Sequence, residues 1–390
     1  MDIEQIQEHL REQQLDGWLM ADFHARNNIA VEMLKLTGVL TRRSFYFIPA
    51  EGTPTALAPE IEKSKFQHLP GELIPFSGYR EMEQELTRIL KGCRWVAMEY
   101  SRMGRLPYVG LVDAGTVELV RSMGVEVVGS SDLVAAFQAR LTSAQIAAHR
   151  EAVTRLYAAK DDAFDFIARS LSGSAPITEY DVSRRIWDSF FPQKMTCEYA
   201  PICAVDANAG NPHYQPTADK SQPITKGSLI LLDLWAKLRS DVGVYADITW
   251  MAYAGTPDEI PEKYASLFDV VVRARDQAVS FLETHLRDRP VYGSEVDDAC
   301  RQVVEEAGFG RYFTHRTGHS IATAGHGSGP NIDNLETEDQ RLLQSGHLFS
   351  LEPGIYMSDC GFRTEIDCLI TGDGCEVTTQ PMQREIVALL

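Results

Sequence analysis

Two aspartates, Asp233 and Asp247, stand inside LILLDLWAKLRSDVGVYADITW (residues 229–250), where a strand-like pattern leads one to expect apolar side chains. An ionised carboxylate inside a sheet costs several kcal/mol unless a cation meets it, and a metal ion is the partner this chemistry suggests. Arg239-Ser240-Asp241 reads as a hairpin turn, and both aspartates are equidistant from Ser240. A regular hairpin would set them opposite one another on one face, with Cβ atoms roughly 4.5–5.5 Å apart. The ordinary alternative is a pair of strand-end aspartates reaching solvent.

Three other segments place ionisable residues where apolar or turn sequence is expected. THRTGHSIATAGHGSGPNI (residues 314–332) sets His315, His319 and His326 among glycines and small residues, in a chain with ten histidines. A glycine-rich loop can turn tightly and bring imidazoles against a ligand. Glu352 ends an apolar run before Pro353-Gly354, and Arg363, Glu365 and Asp367 alternate along a strand-like segment that would put all three on one face. Asp233, Asp247, His319, Glu352 and Glu365 then form a set of four carboxylates and one imidazole. Oxygen-dominated ligation with a single nitrogen suits Mn²⁺, Co²⁺ or Fe²⁺ better than structural zinc. Four carboxylates over-neutralise one divalent ion, whereas two ions sharing carboxylates balance, and paired metals roughly 3.5–4 Å apart activate water for hydrolysis.

The elements that must position these residues fall in two parts. Short strands over 17–20, 44–49, 53–58, 95–98 and 125–128, with helices over 3–14 and 81–90, make a compact α/β unit. The capping-box signature Thr142-Ser143-Ala144-Gln145 opens a long helix to about Leu171, Thr178 caps a second, a third spans about Pro261 to His285, and Ser294 is expected to cap a fourth ending at Gly308. The fold class is α+β, with an N-terminal domain over 1–135 and a second domain over 136–390.

The whole chain has 390 residues, 44% apolar and 24% charged, the composition of a soluble globular protein. With 37 basic against 55 acidic side chains it carries a net charge of −18, which argues against a nucleic acid partner. No apolar run approaches membrane-spanning length, and the polar start MDIEQIQEHLREQQ lacks the character of a secretory signal, so a cytoplasmic location is expected. The seven cysteines contain no CxxC pair and are read as reduced thiols.

In this order, NPHYQP (211–216), the D…ADIT hairpin, HRTGHS…H, SLEPGIY and FRTE resemble the M24 metallopeptidases, the pita-bread family of prolidases, Xaa-Pro aminopeptidases and methionine aminopeptidases. The resemblance runs from about Thr142 to the C-terminus. The α/β unit before it looks like the creatinase/prolidase-like domain of the prolidase and Xaa-Pro aminopeptidase branch, which methionine aminopeptidases lack. The resemblance implies that Asp233, Asp247, His319, Glu352 and Glu365 bind two divalent ions, with Mn²⁺ preferred and Co²⁺, Fe²⁺ or Zn²⁺ as alternatives. Asp247 and Glu365 would bridge them and a bridging hydroxide would be the nucleophile. It further implies that Glu352 shuttles a proton, that His213 and His326 steady the substrate carbonyl, that His315 and Arg363 line the proline side of the cleft, and that Tyr356, following the glutamate, supports substrate binding from behind the ligands. The expected activity is that of a Xaa-Pro dipeptidase. A Xaa-Pro aminopeptidase acting on longer peptides is the alternative, with metal-free creatinase-like chemistry and a non-catalytic peptide-binding protein behind it. A small peptide substrate and a homodimer are the expected partners. The long hairpin loop, Trp250 where arginine commonly stands, Gly327 in place of an acidic residue, and Tyr245 one position off its usual place depart from the pattern.

Overall fold

The computed structural model describes residues 1–173, 176–372 and 374–390, which separate into compact units at Met1–Gln138 and Ala139–Leu390. The first unit runs α1 (Ile3–Glu12), β1 (Gly17–Asp22), α2 (Asn28–Met33), β2 (Ser44–Pro49), β3 (Thr55–Pro59), β4 (Glu72–Phe76), α3 (Tyr79–Ile89), β5 (Trp95–Met98), α4 (Ala114–Ser122), β6 (Glu126–Gly129) and α5 (Ser131–Phe137). Its strands form one mixed sheet in the order β4-β3-β2-β1-β5-β6. The sheet is buried on both faces, Trp18, Met20, Tyr46 and Ile48 on one and Leu19, Phe45, Phe47 and Val96 on the other. β4 and the short helices α2 and α5 do not stand out in the sequence, because their few residues carry little periodic signal.

The second unit opens with α6 (Ser143–Ser172) and α7 (Glu179–Phe190), both begun by capping boxes at the expected threonines, Thr142 and Thr178. Then come β7 (Met195–Thr196), β8 (Ile202–Val205), β9 (Leu229–Leu238), β10 (Ala246–Tyr253), α8 (Glu262–His285) and α9 (Gly293–Glu306). The chain closes with β11 (Leu348–Leu351), β12 (Gly354–Tyr356), β13 (Gly361–Arg363), β14 (Ile366–Thr371), β15 (Gly374–Val377) and β16 (Val387–Ala388). Ser294 is not the cap of α9: the N-cap lies two residues earlier, at Tyr292, and the helix begins at Gly293. Ser294 is instead buried in the first turn, where its N–H donates to the Asp339 carbonyl.

The β9–β10 hairpin is the spine of the unit. Ile230, Leu232 and Leu234 of β9 and Ile248 and Trp250 of β10 pack with Ala152, Leu156, Ala163 and Ile167 of α6. Each such leucine or isoleucine contributes about 1.5–3 kcal/mol by leaving water. Side chains alternate across a strand, so Leu231, Asp233, Asp247 and Met251 are turned to the other face, where Leu231 and Met251 join a second core with α8, α9 and β11–β14. That alternation pushes the two aspartates inward.

The opposed register expected for them is corrected. Asp233 pairs with Thr249 and Asp247 with Trp235, so the aspartates are diagonal neighbours. The turn closes around Ser240–Gly243, with Ser240 N–H on the Leu238 carbonyl and Gly243 N–H on that of Ser240, which moves the centre past Ser240. The slip is by two residues in pairing, an even step, so both carboxylates stay on the same face.

Arg363, Glu365 and Asp367, expected along one strand, do not share one. β13 ends at Arg363 and pairs with β12, whereas β14 begins at Ile366 and pairs with β11. The chain changes partner at Thr364-Glu365. The fully buried Arg275 of α8 pins that bend, its Nη1 donating to Thr364 Oγ1 at 2.9 Å and to the Gln383 carbonyl at 2.8 Å.

Candidate metal centre

Asp233 and Asp247 reach the site from the hairpin, His319 from the loop after α9, Glu352 from the break between β11 and β12, and Glu365 from the bend between β13 and β14. All five line one cavity of ≈ 450 Å³, together with His213, His315, His326 and Arg363. Asp247, His319 and Glu365 offer ligand atoms that lie within 4.8 Å of one another. His319 Nε2 is 3.8 Å from Asp247 Oδ2 and 3.4 Å from Glu352 Oε1.

Supporting contacts set each of these groups. Asp247 N–H donates to Asp367 Oδ2 at 2.9 Å, Thr249 Oγ1 to Glu365 Oε2 at 2.8 Å, and Ser350 Oγ to Glu352 Oε1 at 3.0 Å. The histidine loop is held by Asp297, whose Oδ1 accepts from Thr317 N–H at 2.9 Å, and by Asn331, whose Oδ1 accepts from Ser320 N–H at 2.9 Å. Gly318 is required where it stands, since a Cβ there would lie 1.8 Å from the Ser350 carbonyl oxygen. The buried Glu179 of α7 orients the turn that carries His213, accepting from Asn208 Nδ2 at 3.0 Å and from the Tyr214 hydroxyl.

Electrostatically the cluster is short of positive charge. Burial raises the carboxyl groups of Asp247 and Glu365 well above their usual range, and the neighbouring carboxylates push the same way. Asp233 rises to about 6, again through burial, although Arg363 opposes it. Burial draws His319 down to about 3, which leaves its ring neutral. Its Nδ1 faces the Ser320 carbonyl at 3.2 Å and so carries the hydrogen. Nε2 therefore presents a lone pair to the carboxylates of Asp247 and Glu352. Asp247 Oδ1 is buried without a hydrogen-bond partner among the described residues. Lone pairs converging on one point, with an orphaned carboxylate oxygen among them, fit a divalent cation of the oxygen-preferring kind.

His315, Tyr356 and Arg363 form a connected chain at one end of the cavity. His315 Nδ1 donates to the Arg316 carbonyl at 2.6 Å, so its Nε2 accepts from the Tyr356 hydroxyl at 2.7 Å, and that hydroxyl accepts from Arg363 Nη1 at 3.1 Å. The other guanidinium nitrogens of Arg363 go to Thr249 Oγ1 at 3.0 Å and to Asp233. His326 lies against His319 with ring centroids 4.1 Å apart and the rings tilted 56° to each other, and His213 lies exposed at the cavity wall. The sequence reading did not single out Thr249, Ser350 and Asp297 as supports, nor Glu198, Tyr199, Trp235 and Glu336 as lining. Thr249 and Ser350 lie inside the quoted motifs, so their place beside a ligand was the available signal. Asp297 gives none, being one acidic residue on an amphipathic helix.

The sequence model of metallopeptidase family M24 matches residues 147–372, more than half of the chain. A Xaa-Pro dipeptidase of Lactobacillus helveticus is 30% identical over 207 residues, covering 52% of this chain and 51% of that protein. An uncharacterized peptidase of Staphylococcus epidermidis is 28% identical over 174 residues, 44% of either chain, so this chain spans about half the length of the curated relatives it matches. Among solved structures, dipeptidase PepE of Mycobacterium ulcerans superposes with a TM-score of 0.74 at 21% identity, over 99% of this chain and 96% of that one. An X-prolyl aminopeptidase of Caenorhabditis elegans, a cytosolic enzyme with a di-nuclear active site, does so with a TM-score of 0.70 at 18% identity, over 99% and 62%.

Proposed function

The chain belongs to metallopeptidase family M24, with the two-part pita-bread fold of its prolidase branch, and we propose that it is a Xaa-Pro dipeptidase cleaving the bond before proline in small peptides. The observation that carries this reading is the neutral His319 aimed at Asp247 and Glu352 within a buried carboxylate cluster. Two divalent ions held by Asp233, Asp247, His319, Glu352 and Glu365 would neutralise that cluster, polarise the scissile carbonyl and acidify water. Mn²⁺ is the first choice among them, by the oxygen-rich donor set.

The side chains then divide the remaining work. Glu352, its Oε1 set by the Ser350 hydroxyl, takes a proton from the attacking water and delivers it to the leaving nitrogen. That delivery is necessary because the departing amine, proline's nitrogen included, leaves only when protonated. His213 and His326, on the cavity wall, donate to the carbonyl oxygen as charge develops on it. His315, Tyr356 and Arg363 shape the end that receives proline and its carboxylate. Arg363 can serve that carboxylate only where Asp233 gives up the guanidinium nitrogen it now holds, and ligation of Asp233 by a divalent ion would release it.

The test is hydrolysis of Ala-Pro and Ala-Pro-Ala by protein stripped of metal and reconstituted with Mn²⁺, Co²⁺, Fe²⁺ or Zn²⁺. Metal-dependent cleavage of Ala-Pro with slower turnover of the tripeptide is expected. Equal or faster tripeptide turnover replaces the dipeptidase with an aminopeptidase, and activity that survives stripping ends the metal reading. The working form is proposed as a cytoplasmic homodimer, which sedimentation of the purified protein checks.

A further inference from the structure

The first unit carries a cavity of its own, ≈ 560 Å³ in volume, that the catalytic reading does not use. It opens at the carboxyl end of β1, beside the start of β2 and the Leu111–Asp113 segment, which is tied to the Glu99 carbonyl just past β5, and β1 and β5 run parallel and adjacent. From there β1 continues through α2 into β2 on one side, and β5 through α4 into β6 on the other. A crevice where neighbouring strands lead off in opposite directions is where open α/β sheets take ligands.

Its lining combines apolar walls with unspent positive charge. Phe23, Phe45, Leu111 and Val112 form the walls, and Arg26 and Arg43 supply guanidinium groups. Arg43 is half-buried and makes no hydrogen bond or ion pair with any described residue. Arg26 lies over the Phe23 ring, 5.5 Å from its centroid, and has no carboxylate partner among the described residues. The two carboxylates of the cavity are already committed. Asp22 accepts from Ala25 N–H and Asn27 N–H, both at 2.9 Å. Asp113 accepts from Thr116 N–H at 3.0 Å and Thr116 Oγ1 at 2.7 Å, bonds that hold it below the usual carboxylate range.

Between Phe23 and Arg26 the backbone is strained. His24 and Ala25 have φ of 63° and 54°, the left-handed region that non-glycine residues seldom occupy. The Asp22 carboxylate holds this turn, and the turn presents Phe23 and Arg26 at the cavity. Such strain collects at ligand clamps.

We propose that this cavity binds a small organic anion, a carboxylate or a phosphate monoester with an apolar body, between Arg26 and Arg43. Calorimetric titration of the full metal-loaded chain with benzoate, phenyl phosphate and neutral benzyl alcohol tests it. Saturable binding of one anion per chain is expected, with benzyl alcohol at least tenfold weaker. Arg43→Gln and Arg26→Gln should each weaken the anion at least tenfold with melting temperature unchanged, and the affinity should survive metal removal. Tighter phenyl phosphate assigns the site to phosphate monoesters and tighter benzoate to carboxylates. Absence of binding by both anions, equal binding of benzyl alcohol, unchanged affinity in both arginine variants, or loss of binding on metal removal would each overturn the proposal. None of these outcomes touches the peptidase reading, which rests on other residues.

Discussion

Replacing Asp247 by asparagine should change the stability of the metal-free and metal-loaded chains in opposite directions. In the metal-free chain the Asp247 carboxylate is buried, its Oδ1 lacks a partner among the described residues, and its carboxyl is raised far above the usual range. A group whose folded-state pKa is raised binds more protons in the folded than in the unfolded state, so stability falls as pH climbs above the unfolded value near 4. Asparagine has nothing to ionise, so at pH 7 the metal-free variant should be more stable than the metal-free parent by about 1–3 kcal/mol, because an unpaired buried group costs more when charged than when neutral. At pH 4 that gap should close. Metal reverses the comparison. An ion at a free concentration one hundred times its Kd stabilises the parent by about 2.7 kcal/mol, and a variant lacking a shared ligand forgoes most of it. For a unit of this size that is a shift of about 5–11 °C in melting temperature. Thermal unfolding in chelator and in excess Mn²⁺, at pH 4 and 7, reads both arms. If Asp247→Asn destabilises the metal-free chain at pH 7, the cluster is not short of positive charge and the metal argument fails.

Ser350→Ala removes the hydroxyl that donates to Glu352, and should lower kcat by about 10–100-fold with little change in metal content, measured by Ala-Pro kinetics beside elemental analysis. Gly318→Ala drives a Cβ onto the Ser350 carbonyl and should destabilise the chain by about 1–3 kcal/mol, visible as a lower melting temperature with weakened metal retention. His149, buried between the Tyr245 carbonyl and the Thr378 hydroxyl, is drawn down to about 4 by desolvation. Its folded-state pKa is depressed, so it contributes stability that is complete above pH 6.5 and lost as pH falls toward 4, about 3 kcal/mol in all. Denaturation across that window should show a shallower acid limb in His149→Gln.

The capping boxes at Thr142 and Thr178 could be read from the sequence because a cap is a local device, four residues long, whose bonds close within one turn. The inward face of β9 and β10 was legible too, since alternation survives any even shift of register. What failed was the pairing of Asp233 with Asp247, which depends on how Ser240–Gly243 fold, and the continuity of Arg363, Glu365 and Asp367. Nothing in FRTEID says that a strand changes partner in the middle. The buried Arg275, which holds that bend, lies nearly ninety residues upstream in an amphipathic helix.

Taken alone, the amino-acid order determined which residues are chemically out of place: carboxylates in apolar strands and imidazoles in a glycine loop. It determined the donor types as well, and so the class of cation they suit. Only the tertiary structure decided that five residues from four separate segments share one cavity, that His319 presents Nε2 and not Nδ1, and that Arg363 is already engaged by Asp233, Thr249 and Tyr356. The reason is physical. A residue's type and its facing along a helix or strand follow from its near neighbours, whereas the convergence of distant groups follows from how separate elements pack, and packing is settled by the whole core.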